Sequence, residues 1–185
     1  MLAPRGTAML ALALTLTSCT DENVVAGPET VPSLAARGVA ASVTGSGSHL
    51  RVGTDGEELT SFAFAAIRRA DGTTTGEWEY NFRLNGFRVH GPVTCLSIAG
   101  NQAWIGGVVD KVVTDDPAFE SLVGLEMWWR SIDNGEGADA PADVTTGLGF
   151  GFPGTPITAE SWCRDQPLSL VARDVAVGNI QIRGE

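Results

Sequence analysis

The strongest limit on how this chain can fold is a regular alternation of apolar and polar residues. In residues 77–84 the apolar side chains are Trp78, Tyr80, Phe82 and Leu84, and a polar residue precedes each of them. Successive side chains of a β-strand point to opposite faces. The segment therefore predicts a strand with one face in a core and the other in solvent.

The residues that follow predict that this strand is one arm of a hairpin. Asn85-Gly86 comes next, and this dipeptide favours a two-residue turn because both residues accept a positive φ. The chain then continues with Phe87 and Val89 alternating with polar residues. We expect an antiparallel hairpin with Phe87 and Val89 in the core.

Similar short segments, separated by residues typical of turns, recur over the rest of the chain. They are 59–69, 93–98, 103–113, 123–132, 145–152, 168–173 and 175–183, and residues 49–53 are a candidate for an extra first strand. No clean helical stripe interrupts them. The sequence therefore predicts an all-β fold, a single antiparallel meander of about eight or nine strands that forms a barrel or a sandwich. Closure into a barrel would remove exposed strand edges.

The beginning of the chain has the character of an export signal. Arg5 supplies one positive charge, residues 7–16 are mostly apolar, and Leu16-Thr17-Ser18-Cys19 follows. This apolar run is shorter than the roughly 20 residues of a membrane span. Leu three positions before Cys, with small residues between, resembles the lipobox of bacterial lipoproteins.

That resemblance implies that residues 1–18 are a lipoprotein signal peptide and that Cys19 is lipidated. The protein would then be held by its lipid at the extracytoplasmic side of a bacterial membrane, in the cell envelope. The alternative is an ordinary secretory leader that happens to contain a cysteine.

Residues 19–48 are interpreted as a flexible tether, and residues 49–185 as one antiparallel β domain. The first segment contains Gly27, Pro28 and Pro32 and ends in Gly-Ser-Gly-Ser, a composition typical of spacers. The second has the usual length of a single domain.

The charge of the chain excludes one class of partner. The formal net charge is −10 at pH 7, and so many carboxylates would repel the phosphates of a nucleic acid. No phosphate loop or paired metal-binding cysteines occur, so we expect no cofactor.

Cys95 and Cys163 are the cysteines that remain after Cys19. Two cysteines in an exported domain predict a disulfide, because that compartment is oxidising. A catalytic thiol, which would need a nearby base, is the alternative.

The densest group of polar side chains lies in residues 133–143. Asp133, Glu136 and Asp139 are candidate ligands for Ca²⁺, which prefers oxygen ligands from a flexible loop. Their spacing does not match the D-x-[DN]-x-[DN]-G calcium loop. The alternative is a long hairpin loop in which Asn134 and Gly135 form the turn and the carboxylates keep the loop soluble.

Three further residues are candidates for ligand binding. Trp128 and Trp129 are adjacent, so on a strand they point to opposite faces. Either one lies outside the core, where it would suit a binding surface, or both faces are covered. His90 could act as an acid, a base or a ligand.

One segment resembles a known group of proteins. Residues 89–107 read V-H-G-P-V-T-C-L-S-I-A-G-N-Q-A-W-I-G-G, similar to a pattern of an uncharacterised exported bacterial β-domain family. The sequences D-N-G-E-G at 133–137 and G-N-I-Q-I at 178–182 resemble further segments of that family. The resemblance implies one all-β domain outside the cytoplasm and assigns no catalytic residue.

Together these features predict a non-enzymatic lipoprotein whose β domain binds a partner or ligand at the cell envelope. A lipocalin-like carrier of a small apolar ligand is one alternative, and it would need an interior cavity of about 300 Å³ or more. A hydrolase-type enzyme using His90 and a carboxylate from residues 133–143 is the other.

Overall fold

The computed structural model describes residues 38–53, 56–137 and 139–184. The predicted signal peptide, Cys19 and the part of the predicted tether before Gly38 lie outside these ranges. The strands are β1 (Val39–Gly53), β2 (Gly56–Arg69), β3 (Thr74–Phe82), β4 (Phe87–Ala99), β5 (Gln102–Val108), β6 (Lys111–Thr114), β7 (Glu126–Ile132), β8 (Val144–Thr146), β9 (Gly149–Phe150) and β10 (Ala172–Gly184). A 3₁₀ helix covers Pro117–Leu122, and helix α1 covers Ala159–Asp165.

Eight of these strands close into an antiparallel barrel. Their order around the barrel is β3-β2-β1-β10-β8-β7-β5-β4, and the pairing of β3 with β4 completes the ring. β6 pairs with β4 and β9 pairs with β7 outside this ring. The predicted all-β antiparallel fold is confirmed, and a barrel rather than a sandwich is formed.

The hairpin predicted from residues 77–90 is present as β3 and β4, but its turn is longer than expected. Phe82 pairs with Phe87, so residues 83–86 form a four-residue connection and the predicted two-residue turn is wrong. The two phenyl rings stack with centroids 4.5 Å apart. This contact ends the strand pair before Leu84, which is half exposed in the turn.

The predicted tether, residues 19–48, extends too far along the chain, because its last ten residues belong to a strand. β1 begins at Val39 and includes the Gly-Ser-Gly-Ser run at residues 45–48. β1 lies between β2 and β10, and a Cβ atom on Gly45 would overlap the ring of Phe64. The glycine that looked like part of a spacer therefore allows a close approach inside the barrel.

Other boundaries also differ from the sequence prediction. The predicted strand 103–113 is divided into β5 and β6, because the chain bends after Val108, where its carbonyl lies against Gly91. β10 contains the predicted strand 175–183 and only the last two residues of the strand predicted at 168–173, since residues 168–171 are not in a strand. Neither helix of the described residues is long and apolar enough to cross a membrane.

Aromatic rings fill the middle of the barrel. The ring of Trp129 lies 5.4 Å from Phe64 and 5.9 Å from Tyr80, centroid to centroid, and Phe62 stacks on Phe64. These contacts join side chains from β2, β3 and β7 across the interior. The alternation that predicted the strands thus supplies one continuous core.

A second, smaller core lies outside the barrel, beneath α1. Trp162 of this helix packs near Trp128 and Trp104, which point outward from β7 and β5. The sulfurs of Cys95 and Cys163 are 2.05 Å apart, so the predicted disulfide is formed and joins α1 to β4. The short helix was not predicted, since its apolar face is only one turn long.

Candidate ligand-binding site

One end of the barrel interior is polar. This end carries the β1–β2 and β3–β4 connections and is called the mouth below. His49, Glu58 and Thr60 point inward here and are only 2%, 3% and 0% exposed. His49 pairs with Thr60 across β1 and β2, and Arg51 pairs with Glu58. Arg173 enters the mouth from β10.

A cavity of about 270 Å³ occupies the mouth. One side of it is aromatic, and ring stacking continues from Tyr80 through Phe82 to Phe87, with centroids 6.3 and 4.5 Å apart. The other side is basic and hydrogen-bonding. The lining residues are His49, Arg51, Tyr80, Phe82, Phe87, Gly147, Leu148, Phe150 and Arg173.

Glu58 is the buried acid of this site, and it is held by two contacts. Its Oε1 accepts a hydrogen bond of 3.0 Å from the backbone N–H of Leu84. Its Oε2 lies 3.7 Å from Nε of Arg51, whose guanidinium also lies over the Phe82 ring. Glu58 thus neutralises one of the two arginines at the mouth.

Arg173 has no carboxylate within ion-pair distance among the residues that the structure describes. Its Nη1 donates to the carbonyl of Val171 at 3.3 Å and occupies space beside Gly147. Burial, and then the positive charge of Arg51, lower the pKa of Arg173. The mouth therefore holds one more cation than anion.

His49 is neutral at neutral pH. Burial lowers its pKa from 6.5 to about 4, and the cations Arg173 and Arg51 act in the same direction. The backbone of Leu50 opposes this shift without reaching hydrogen-bond geometry. Within the described ranges, neither ring nitrogen of His49 has a hydrogen-bond partner.

Thr60 is in the same condition, since its buried hydroxyl has no protein partner among the described residues. Buried polar groups in folded proteins are nearly always hydrogen-bonded, and exceptions call for an explanation. A ligand or water in the cavity would satisfy His49, which lines it, whereas Thr60 lies beside His49 on the neighbouring strand and is not part of the lining. The mouth therefore offers donors, an acceptor, a cation and an aromatic wall to a small molecule.

His90 lies elsewhere, on the outer face of the barrel. Its Nδ1 is 3.1 Å from Oδ1 of Asp110, and it borders a groove of about 780 Å³ whose floor consists of small side chains. Ser46 also borders this groove, but it lies three strands from His90 in the same cross-strand row, a distance of about 14 Å. The two side chains are therefore too far apart to contact each other. The carboxylate paired with His90 thus comes from the bend between β5 and β6, outside residues 133–143.

Neither Trp128 nor Trp129 offers a surface to a ligand or partner. Trp129 is fully buried inside the barrel, and Trp128 is 3% exposed beneath α1. Nε1 of Trp162 donates to the carbonyl of Trp129 at 3.0 Å, which holds the helix over this part of β7. Both faces of β7 are covered, which was the second of the two expected arrangements.

The acidic segment 133–143 closes the seam of the barrel. β8 has three residues, so most of β10 lacks a neighbouring strand on that side. Asp143 instead accepts hydrogen bonds from the backbone of Ile180 at 2.6 Å and of Asn134 at 2.8 Å. Asp133 accepts from Ile182 at 2.9 Å.

These contacts use the oxygens that were expected to bind Ca²⁺. Both carboxylate oxygens of Asp133 accept backbone N–H groups, Glu136 accepts from Gln181, and Asp139 is exposed. In the described part of the chain, no three His, Cys, Asp or Glu side chains are grouped so that they could hold a metal ion. The carboxylates of this segment have a structural role in joining the loop to β10.

Sequence reasoning missed the polar residues of the mouth, although a signal for them was present. The alternation that places Phe62 and Phe64 in the core also places Glu58 and Thr60 on the same face of β2. Polar residues at inward positions of a strand mark either a buried site or the end of a core. His49 was noticed only as the start of a short strand.

Comparison with known proteins gives no relative from which a function could be transferred. No protein-family model matches the chain. No curated protein and no solved structure matches it either.

Proposed function

We propose that this chain is an exported lipoprotein whose barrel binds a small molecule in the mouth and performs no catalysis. Lipid on Cys19 would hold it at the extracytoplasmic side of the bacterial cell envelope. The observation that supports binding is the cavity itself, where His49 is buried without a protein hydrogen-bond partner among the described residues and stacked rings form part of the lining.

The size of the cavity favours a small ligand. Its volume of about 270 Å³ lies just below the range for small-molecule sites, roughly 300–1,000 Å³. Trp129, Phe64 and Tyr80 fill the barrel below it, so a long apolar chain would find little room. The cavity is thus smaller than the roughly 300 Å³ that a lipocalin-like carrier of an apolar ligand would need, and only a compact ligand would fit.

Binding in the mouth is tested by filling it. Leu148→Trp places an indole into the cavity, and Leu168→Trp is the matched control because Leu168 is 68% exposed and does not line it. A library of small fragments is screened against the parent and both variants by ligand-observed NMR. We expect the fragments that bind to the parent to bind equally well to Leu168→Trp and to lose binding to Leu148→Trp.

The proposal fails if no fragment binds to the parent, or if Leu148→Trp and Leu168→Trp bind the same fragments equally. Native mass spectrometry of the purified protein adds a second measurement, since a retained ligand would give a mass adduct absent from Leu148→Trp.

The anchor is tested separately. Mass spectrometry of the envelope fraction should find Cys19 at the mature N-terminus carrying acyl chains, and Cys19→Ala should remove them and release the protein from the membrane. An unmodified chain with residues 1–18 still attached would contradict the lipoprotein proposal.

A further inference from the structure

The charges that face the mouth are unequal. His49 and Arg51 of β1, Glu58 of β2 and Arg173 of β10 are the titratable groups that meet there, together with the hydroxyl of Tyr80 on β3. His49 is neutral and Glu58 is balanced by Arg51. The positive charge of Arg173 remains without a partner among the described residues.

The acids nearest in sequence do not correct this imbalance. Glu57 and Asp174 alternate with the inward-facing residues and lie exposed on the outside of the barrel. The protein as a whole carries a net charge of −10, so the excess positive charge of the mouth is opposite in sign to the net charge of the chain. An uncompensated cation in a partly desolvated cavity attracts an anion more strongly than a cation in water does.

The position of Arg173 is fixed by the local backbone. A Cβ atom on Gly147 would come within 2.8 Å of its Nη1, so the glycine makes room for the guanidinium at the cavity wall. Nη1 also donates to the carbonyl of Val171. This arrangement directs a planar, multiple donor toward the cavity, and such donors match the geometry of a carboxylate.

The aromatic part of the lining suits a flat apolar group. Phe82 and Phe87 stack with an interplanar angle of 18°, and Phe87 stacks in the same way on Phe119. Because Phe87 already stacks on two rings and Arg51 lies over Phe82, a planar ligand ring would meet these residues through edge contacts. The lining of the cavity thus contains both a carboxylate-binding group and aromatic rings.

We infer that the mouth cavity takes a small aromatic carboxylate, with its anionic group on Arg173 and its ring against Phe82 and Phe87. This inference rests on the proposed function and specifies the class of the ligand. The neutral imidazole of His49 supplies an additional donor to the carboxylate or acceptor to a ring substituent.

The test compares three probes at pH 7 by protein-observed NMR titration. Benzoate carries both features, benzamide lacks the charge, and acetate lacks the ring. We expect the Kd of benzoate to be at least tenfold lower than that of either other probe. Equal affinities for benzoate and benzamide would overturn the role of Arg173.

Variants of Arg173 locate the effect. Arg173→Met should raise the Kd of benzoate at least tenfold and leave that of benzamide nearly unchanged, and Arg173→Lys should restore part of the loss. Arg183→Met is the matched control, because Arg183 is exposed on the same strand and does not line the cavity. Equal effects of Arg173→Met and Arg183→Met would overturn the inference.

Gly147→Ala gives a variant in which the charge is retained. The added methyl group displaces the guanidinium, so benzoate should bind several-fold more weakly although Arg173 is present. If neutral ring compounds bind in the mouth without any preference for benzoate, the ligand class is wrong and the proposed function stands. If no fragment binds there, both fail.

Discussion

Stability between pH 4 and pH 6.5 should depend on His49. The folded protein lowers the pKa of this imidazole from 6.5 to about 4, because the side chain is buried beside the cations Arg173 and Arg51. In this pH range the unfolded chain binds a proton that the folded protein does not. The free energy of unfolding therefore falls as the pH is lowered through this range. Above pH 6.5 the imidazole is neutral in both states, so His49 causes no loss of stability there.

The magnitude follows from the size of the shift. Each pKa unit corresponds to about 1.4 kcal/mol, so a change from 6.5 to about 4 gives up to about 3 kcal/mol. Between pH 7 and pH 4.5 the loss should be about 2 kcal/mol, since protonation of the folded form is then only beginning. The total stability of small domains is about 5–15 kcal/mol, so the effect is measurable.

Urea unfolding at a series of pH values tests this dependence. The chain has two histidines, which allows a complete control. His49→Gln should remove the excess loss of stability in acid, whereas His90→Gln should retain it because His90 is on the outer face, paired with Asp110. The three proteins carry the same carboxylates, so the comparison of the two variants tests the histidines.

An NMR titration of the imidazole protons provides the direct measurement. If the His49 signal titrates near 6.5, or if His49→Gln loses as much stability as the parent between pH 7 and pH 4.5, the reasoning is refuted. The first result would mean that the mouth is open enough for water to solvate the ring.

Two further predictions concern the stability of the barrel. Replacing Cys95 and Cys163 together by serine should lower the free energy of unfolding by about 4 kcal/mol, because the disulfide closes a loop of sequence separation 68; a loss below about 1 kcal/mol in urea unfolding would contradict this account. Asp143→Ala should cost about 3 kcal/mol, since it leaves the backbone N–H of Ile180 and a second amide without their charged acceptor. As a control, Asp139→Ala at an exposed position should change stability by less than about 0.5 kcal/mol in the same assay. Equal effects of Asp143→Ala and Asp139→Ala would refute the role of Asp143 in holding the loop to β10.

The parts of the fold that the sequence predicted are those governed by local alternation. Trp78, Tyr80 and Phe82 point into the core, and Phe87 and Val89 return on the same side. Each of these positions is decided by the strand's period of two and by burial, which a short window of sequence contains. Formation of the disulfide was likewise predictable from the number of cysteines and the expected compartment.

The errors arose where distant contacts decide the structure. Gly45 and its neighbours have the composition of a linker, and only the ring of Phe64 above Gly45 shows why a strand needs a glycine there. Asp133 and Asp143 look like ligands because their partners, the amides of β10, come from a segment about 40 residues later in the chain. Composition cannot distinguish a carboxylate that binds metal from one that caps a strand.

The mouth was missed for the same reason, because its residues are brought together only by distant strand contacts. The contrast between the two ends of the barrel interior supports the proposed binding function. Inward positions on β1 are Ala41 and Val43 at the far end but His49 and Arg51 at the mouth. On β2 they change from Ala66 to Glu58. The same two strands thus build an apolar end and a polar end.

This polar end costs stability. A buried polar group without any partner destabilises a protein by about 1–3 kcal/mol, so His49 and Thr60 reduce the stability of the barrel unless water or a ligand supplies their hydrogen bonds. A barrel that needed only to fold would gain by extending the apolar residues of its far end through the mouth. Within the described part of the chain, the proposed binding function rests on three features of the same cavity, namely the unpaired imidazole of His49, the guanidinium of Arg173 without a carboxylate partner, and the aromatic rings of the lining.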